Sequence, residues 1–286
     1  MRNTIGIDIG GTNTRAARVS HDGRILAHLA QPTARGADAV IACLAGMVAE
    51  LRDGGTTAIG VGVPGRVDVR SGRVLSGGYV DLSVVPLTDL LRQATGLGAF
   101  ADNDASMALV GEARAGAAHG HAHAVMLTVG TGIGGAVLAD GRIFHGGSTA
   151  GQLGHITVAV DGAPCKCGRR GCLETVCSGT ALRRLMAEAG FANSTSMVEV
   201  LQDPSPRAVA LVMEWATPLR AGIDSLVAAF SPEIIILGGG LGGSAVAALE
   251  RVPAVSPWFQ YQVAAARLGD EAGVIGAGLA AHEAHP

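Results

Sequence analysis

The sequence has no apolar run long enough to span a bilayer, no cluster of basic residues and little cysteine. Its longest apolar stretches, such as HAVMLTVG and IIILGGG, fall well short of the roughly 20 residues a membrane-crossing helix needs. Lys and Arg are scattered and the formal net charge is −3, so nothing tracks a phosphate backbone and nucleic acid is not an expected partner. The opening MRNTIGIDIGG lacks the charged region, apolar stretch and cleavage site of a secretory signal. A soluble, cytoplasmic chain without a membrane partner is expected. Its 286 residues suffice for two domains or one large one, with a sizeable core.

Only five cysteines occur, yet three of them crowd into PCKCGRRGCLE, residues 164–174. A metal site, a redox pair and a disulfide are all conceivable there. In a reducing cytosol a metal or a catalytic role is favoured over a disulfide, and the absence of C-x-x-C counts against a redox pair. Cys165, Cys167 and Cys172, with His155 ten residues upstream, supply three thiolates and an imidazole, the donor set of a closed tetrahedral Zn²⁺ site. Cys43 and Cys177 stand outside this pattern and read as core thiols.

Glycine is abundant, at 43 residues, and falls in clusters beside apolar strands rather than periodically. Such clusters bring backbone N–H groups close to a ligand, most often phosphate. TIGIDIG reads as a strand, GGTNTR as a turn, and the Asp22-Gly23 turn leads to a third strand, RILAHL. Residues 37–53 have helical spacing, TAIGVGVPG is a buried strand, and GAFADND is a strand entering a helix from Asp104 to Ala118. HAVMLTVGTGIGGAVLADGRIFHGG then repeats the opening order of strand, glycine turn, strand, Asp-Gly turn, strand. Ser178 caps a further helix, PEIIILGGGLGG is strand and glycine turn, and GVIGAGLAAHEAH is a closing helix. The reading is a duplicated α/β protein with two lobes and a cleft, a first domain of residues 1–104 plus 273–286 and a second of 105–272.

DIGGTNTR, ADNDASMALVGEARAG, LTVGTGIGGAVLADGRIFHG, GQLGHITV with CKCGRRGCLE, and IIILGGG occur in this order. Together they make the chain resemble the sugar kinases of the ROK family (repressors, open reading frames and kinases) of the hexokinase–actin superfamily, with its two-lobed, ribonuclease H-like, actin-like ATPase fold. The segment LETVCSGTALRR is similar to that of bacterial allose kinases. The resemblance implies an ATP- and Mg²⁺-dependent sugar kinase with a structural Zn²⁺ on His155, Cys165, Cys167 and Cys172, assembled as a homodimer or homotetramer.

Residue by residue, it places Gly10, Gly11, Thr12 and Asn13 at the ATP phosphates, with Asp8 as the Mg²⁺-associated carboxylate. Thr131 and Gly132 form a second phosphate clamp, and Gly238, Gly239 and Gly240 lie against the adenosine. Asp104 becomes the general base for the sugar hydroxyl, although a helix cap is the commoner work of an aspartate so placed. Gly65, Tyr79, Asn103, Asp104, Gln152, His155 and Glu174 become sugar contacts.

The chain departs from the family pattern twice. The motif Glu-x-Gly-His reads Gln152-Leu153-Gly154-His155, which exchanges a charged acceptor for a neutral amide. Between Val74 and Pro86 the family's Asn-Leu is replaced by SGGYVDLSVV, with Tyr79 and Asp81 where the sugar-contacting asparagine is expected. The substrate is therefore expected to be another hexose, an N-acylated amino sugar or a polyol before glucose. A sugar-sensing repressor of the same family is disfavoured because the first glycine strand begins at residue 4, with no helix-turn-helix before it. A non-catalytic binding protein is disfavoured by Asp8, Asp104 and both glycine loops.

Overall fold

The computed structural model describes residues 2–285 apart from 79, 81, 255 and 260. Tyr79 and Asp81 thus lie outside the described residues. The chain divides into two compact units: Met1–Gly120 with Ile143–Gly151 and Leu268–Pro286, and His121–Arg142 with Gln152–Arg267. The first unit thus runs past the expected boundary at residue 104. The physical reason is that the helix beginning at Asp104 lies along the C-terminal helix Ala272–Ala284, which belongs to the first unit.

In the first unit, β1 (Asn3–Ile9), β2 (Asn13–Ser20) and β3 (Ile25–Pro32) form the expected meander, followed by α1 (Ala37–Leu51) and β4 (Thr56–Val63). A small ribbon, β5 (Arg66–Asp68) with β6 (Arg73–Ser76), precedes α2 (Leu87–Thr95), β7 (Gly98–Asn103) and α3 (Asp104–Ala115). The sheet order is β3-β2-β1-β4-β7, with β1, β4 and β7 parallel.

Period-two alternation sorts the two faces of β1. Ile5, Ile7 and Ile9 are buried with Leu44 and Met47 of α1 and Leu87 and Leu91 of α2. Each such side chain contributes roughly 1.5–3 kcal/mol by leaving water. Gly6 and Asp8 turn to the other face, where the C-terminal helix packs. A Cβ on Gly6 would stand 1.8 Å from Val274 O, and one on Gly60 of β4 1.8 Å from Ala277 O, so only glycine lets this helix lie on the sheet.

In the second unit, β8 (Ala124–Val129), β9 (Ile133–Ala139) and β10 (Arg142–Ile143) repeat the meander. There follow α4 (Leu173–Cys177), α5 (Gly179–Glu188), α6 (Met197–Gln202), α7 (Pro206–Phe230), β11 (Ile234–Gly238), α8 (Gly242–Leu249) and β12 (Gln262–Ala265). The sheet order β10-β9-β8-β11-β12 reproduces that of the first unit, with β8, β11 and β12 parallel. The core of this unit gathers around α7, whose Trp215, Leu219 and Ile223 are fully buried. Trp215 Nε1 donates to Ser178 O at 3.4 Å, which ties the start of α5 to that core. Among the described residues no helix is long and apolar enough to cross a membrane.

Candidate active site

In open sheets with parallel strands, ligands bind beyond the strands' C-terminal ends. In the first unit that edge carries Asp8, Gly62 and Asp102 side by side, because Gly62 is the register partner of both carboxylate-bearing positions. Asn103 and Asp104 follow at the β7–α3 junction. Asn103, not Asp104, caps α3: its Oδ1 accepts from Ala105 N at 3.0 Å and Ser106 N at 3.4 Å. Its Nδ2 donates to Gly65 O at 2.8 Å, so both ends of the amide are engaged within the protein and Gly65 is drawn to the same edge. Asp104 is thereby relieved of the capping work. One of its oxygens accepts from Ala105 N at 2.8 Å.

Burial pushes the Asp104 carboxyl up to about 7, and the charge of Asp8 adds to the effect. Burial likewise raises Asp8 to about 6, opposed by the Arg15 guanidinium and reinforced by Asp270. No described residue hydrogen-bonds or ion-pairs the Asp8 oxygens. A carboxylate so placed fits a hard divalent cation, which Mg²⁺ is.

The first glycine turn, Gly10–Asn13, closes through Gly10 N to Asn13 O at 3.1 Å. Thr33 holds it from below, its hydroxyl donating to Gly10 O at 2.7 Å and its N–H to Thr12 O at 2.9 Å. Gly11, Thr12 and Asn13 are left exposed.

The second unit brings three glycine segments together. Gly130 N donates to Gly132 O at 3.0 Å, and Gly130 O accepts from Gly179 N at 2.7 Å. Thr180 Oγ1 donates to Thr131 O at 2.8 Å. From the other side, Leu241 N donates to Val129 O at 3.0 Å. Gly239 sits at φ 76 with its Cβ position 2.6 Å from Val129 O, a place where any side chain is both strained and obstructed. Gly179 and Thr180 were not singled out from the sequence. The available signal was SGT after a helix-start serine, and Ser178 does cap α5, accepting from Ala181 N at 3.2 Å.

The cysteine segment folds as a knuckle. Cys165 N donates to Arg169 O and Gly168 N to Cys165 O, at 2.8 and 3.0 Å, while Arg169 reaches back to the His155 carbonyl. Cys165 Sγ lies 3.6 Å from His155 Nδ1, and Cys167 Sγ lies 3.6 Å from Cys172 Sγ. The four donor atoms fall within 4.8 Å of one another. Sulfur at about 2.3 Å and nitrogen at about 2.0 Å from a tetrahedral ion would stand about 3.5–3.8 Å apart, so the residues fit Zn²⁺. They do not fit a disulfide, whose sulfurs are bonded at about 2.05 Å, and all five cysteines are free. Burial and the neighbouring sulfurs push the Cys172 thiol up to about 12. Cys177 is fully buried and Cys43 partly so, and neither belongs to this group of donors.

With Nδ1 turned to the sulfurs, His155 leaves Nε2 for another partner. A one-turn helix, Leu153–His155, carries it and packs on β9: a Cβ on Gly154 would meet Ile133 O at 2.0 Å. Glu174 accepts from Ile133 N at 2.9 Å and pairs with Lys166 Nζ at 3.5 Å, so it is a held carboxylate rather than a solvated one. Gln152 begins the same turn, its carbonyl accepting from His155 N at 3.1 Å.

The ROK family pattern matches residues 4–284. The chain belongs to the ROK family. A glucokinase of Thermotoga maritima is 36% identical, covering 96% of this chain and 95% of that protein. An N-acetylmannosamine kinase of Citrobacter koseri is 34% identical over 97% and 98% of the two chains. A ROK family glucokinase of Streptomyces griseus, solved with glucose and AMPPNP, superposes with a TM-score of 0.83 at 32% identity, covering 98% and 99%. The α/β architecture of paired mixed sheets is that of the ROK sugar kinases.

Proposed function

We propose that this ROK protein is a carbohydrate kinase that transfers the γ-phosphoryl group of ATP to a hydroxyl of a hexose or hexose derivative, with Asp104 as general base. The observation that carries this reading is the Asp104 carboxyl. It is raised to about 7, released from capping by Asn103, and set at the C-terminal edge of parallel strands beside Asp8. A base with a pKa near neutral is matched to taking a proton from an alcohol as the bond to phosphorus forms. The proton passes to an Asp104 oxygen, and the hydroxyl oxygen attacks the phosphoryl group as ADP leaves.

Asp8 would hold Mg²⁺, which supplies charge neutralisation for the transferring phosphoryl group. The turn that Gly10 closes exposes Gly11, Thr12 and Asn13, whose polar groups are suited to phosphate oxygens, as are those of Thr131 and Gly132. The turn Gly238–Gly240, without side chains, suits a flat nucleoside. His155, Cys165, Cys167 and Cys172 would hold Zn²⁺ in a structural role. Ordering of this knuckle fixes His155, whose Nε2 we assign to the sugar with Gln152 and Glu174; Gly65, Asn103 and Tyr79 are assigned to the sugar as well.

Two relatives act on sugars that differ at carbon 2, glucose and N-acetylmannosamine. Gln152, in place of the family glutamate, favours a substrate other than glucose, since a neutral amide binds a hydroxyl about half as strongly as a carboxylate does. We also assign the chain to the cytoplasm as a homodimer or homotetramer.

The test is sugar phosphate formation with Mg²⁺ across hexoses, N-acetylhexosamines and polyols, with ATP and with polyphosphate as donors. Strong turnover of one sugar with ATP is expected. Turnover only with polyphosphate would correct the donor. Silence throughout, in folded and zinc-loaded protein, would overturn the proposal.

A further inference from the structure

Asp102, the residue before Asn103, is buried, with 5% of its surface exposed, and both its oxygens are occupied. Oδ1 accepts from Asn103 N at 2.6 Å. Oδ2 lies 2.7 Å from His145 Nε2, a ring that comes from the glycine-rich segment after β10. An imidazole hydrogen bond on one oxygen leaves the other aimed at the Asn103 amide. Asn103 in turn caps α3 and binds Gly65 O. A continuous chain of hydrogen bonds thus runs from His145 through Asp102 and Asn103 to the first turn of α3, which presents Asp104.

His145 is itself anchored. Its carbonyl accepts from Ser148 N at 2.8 Å and Ala150 N at 3.0 Å, closing a compact turn. Ser148 occupies φ 115, a conformation that non-glycine residues rarely take, and is held there by its hydroxyl on Asp68 Oδ1. Strain retained at a buried serine shows that the surrounding bonds over-determine this turn, and His145 is the member that reaches the strand end.

We propose that His145 is a positioning residue for Asp104, acting through Asp102 and the Asn103 cap to hold the β7–α3 junction in one geometry. The catalytic half of this role rests on the kinase reading; the structural half does not. The requirement is an N–H at the Nε2 position, a requirement that glutamine meets and alanine does not. A small displacement of a general base from its near-attack position is costly in rate, about 10- to 100-fold for a shift near 1 Å.

The test uses the full chain carrying His145→Ala and His145→Gln. Amide hydrogen exchange is followed at Asn103, Ala105 and Ser106, with Val125–Leu127 of β8 as an internal reference. Exchange at the three junction amides is expected to rise about tenfold in His145→Ala and to return toward the original rate in His145→Gln. In turnover assays with the sugar found by the panel, His145→Ala should lower kcat about 10- to 100-fold with the KM for ATP within twofold. His145→Gln should recover most of the kcat. Unchanged exchange at the junction, or a kcat within threefold of the original in His145→Ala, overturns the proposal. So does a loss that glutamine fails to restore. Absence of any turnover in the unsubstituted protein would count against the kinase reading alone, because the exchange rates still decide whether His145 holds the junction.

Discussion

Asp8 and Asp104 meet across Gly62, where a Cβ would stand 3.5 Å from both Asp8 Oδ1 and the Asp104 Cα. Burial raises both carboxyls, Asp8 to about 6 and Asp104 to about 7, and the charge of Asp8 adds to the rise at Asp104. A divalent cation at Asp8 would favour both charged forms.

The first prediction concerns Asp104→Asn. Amide in place of carboxylate keeps the shape and removes the proton acceptor. Turnover should fall about 10²- to 10⁴-fold while zinc content and melting temperature stay close to the original. In the unsubstituted enzyme kcat/KM should rise with pH up to about 7, as the base form appears, and then level off. Turnover retained in Asp104→Asn, or a profile flat between pH 5 and 8, would remove Asp104 from the mechanism.

Stability should run the other way in metal-free protein. A carboxyl raised in the folded state keeps its proton there after the unfolded chain has released it near 4. Between about pH 4 and 6 to 7 the folded state therefore binds more protons, and stability falls as pH rises through this window. Asp8→Asn should flatten part of that fall in denaturant titrations and weaken the response to added Mg²⁺. A metal-free stability that climbs across the window would contradict the assignment of both groups.

Removing a ligand from the knuckle tests the zinc. Cys172 is completely buried, so Cys172→Ser should release metal, lower the melting temperature by about 5 °C or more, and raise the KM for sugar more than that for ATP. A strong chelator should reproduce the effect. A fully active, metal-free Cys172→Ser variant would show that the knuckle folds without a cation.

Gln152→Glu restores a charged acceptor beside His155. Discrimination should move about tenfold toward glucose, the difference between a charge-assisted and a neutral hydrogen bond being about 1.4 kcal/mol in such a site. Identical relative kcat/KM values across the sugar panel would place specificity elsewhere.

At Gly239, φ is 76 and the Cβ position is 2.6 Å from Val129 O. Gly239→Ala should raise the KM for ATP about tenfold or more with little change in sugar affinity measured by calorimetry. Equal losses for both substrates would show that the turn serves the whole unit rather than the nucleotide.

The amino-acid sequence by itself determined the repeated meander, the strand-to-helix junction at Asp104 and the four donors around Cys165. These features are local: alternating apolar residues, glycine turns, and ligands within eighteen positions of one another. Family resemblance then attached roles to them. Which residue caps α3 was not legible locally, because Asn103 and Asp104 are both good capping residues and only the path of the chain decides which one turns inward. Tertiary structure alone decided the meeting of Gly130 with Gly179, the hold of Ile133 on Glu174 and the reach of His145 to Asp102. Each joins residues 41 to 49 positions apart in sequence, and no periodicity encodes such pairs. They arise when each sheet and the helices packed on it bury their apolar faces, which fixes where the loops between them must lie.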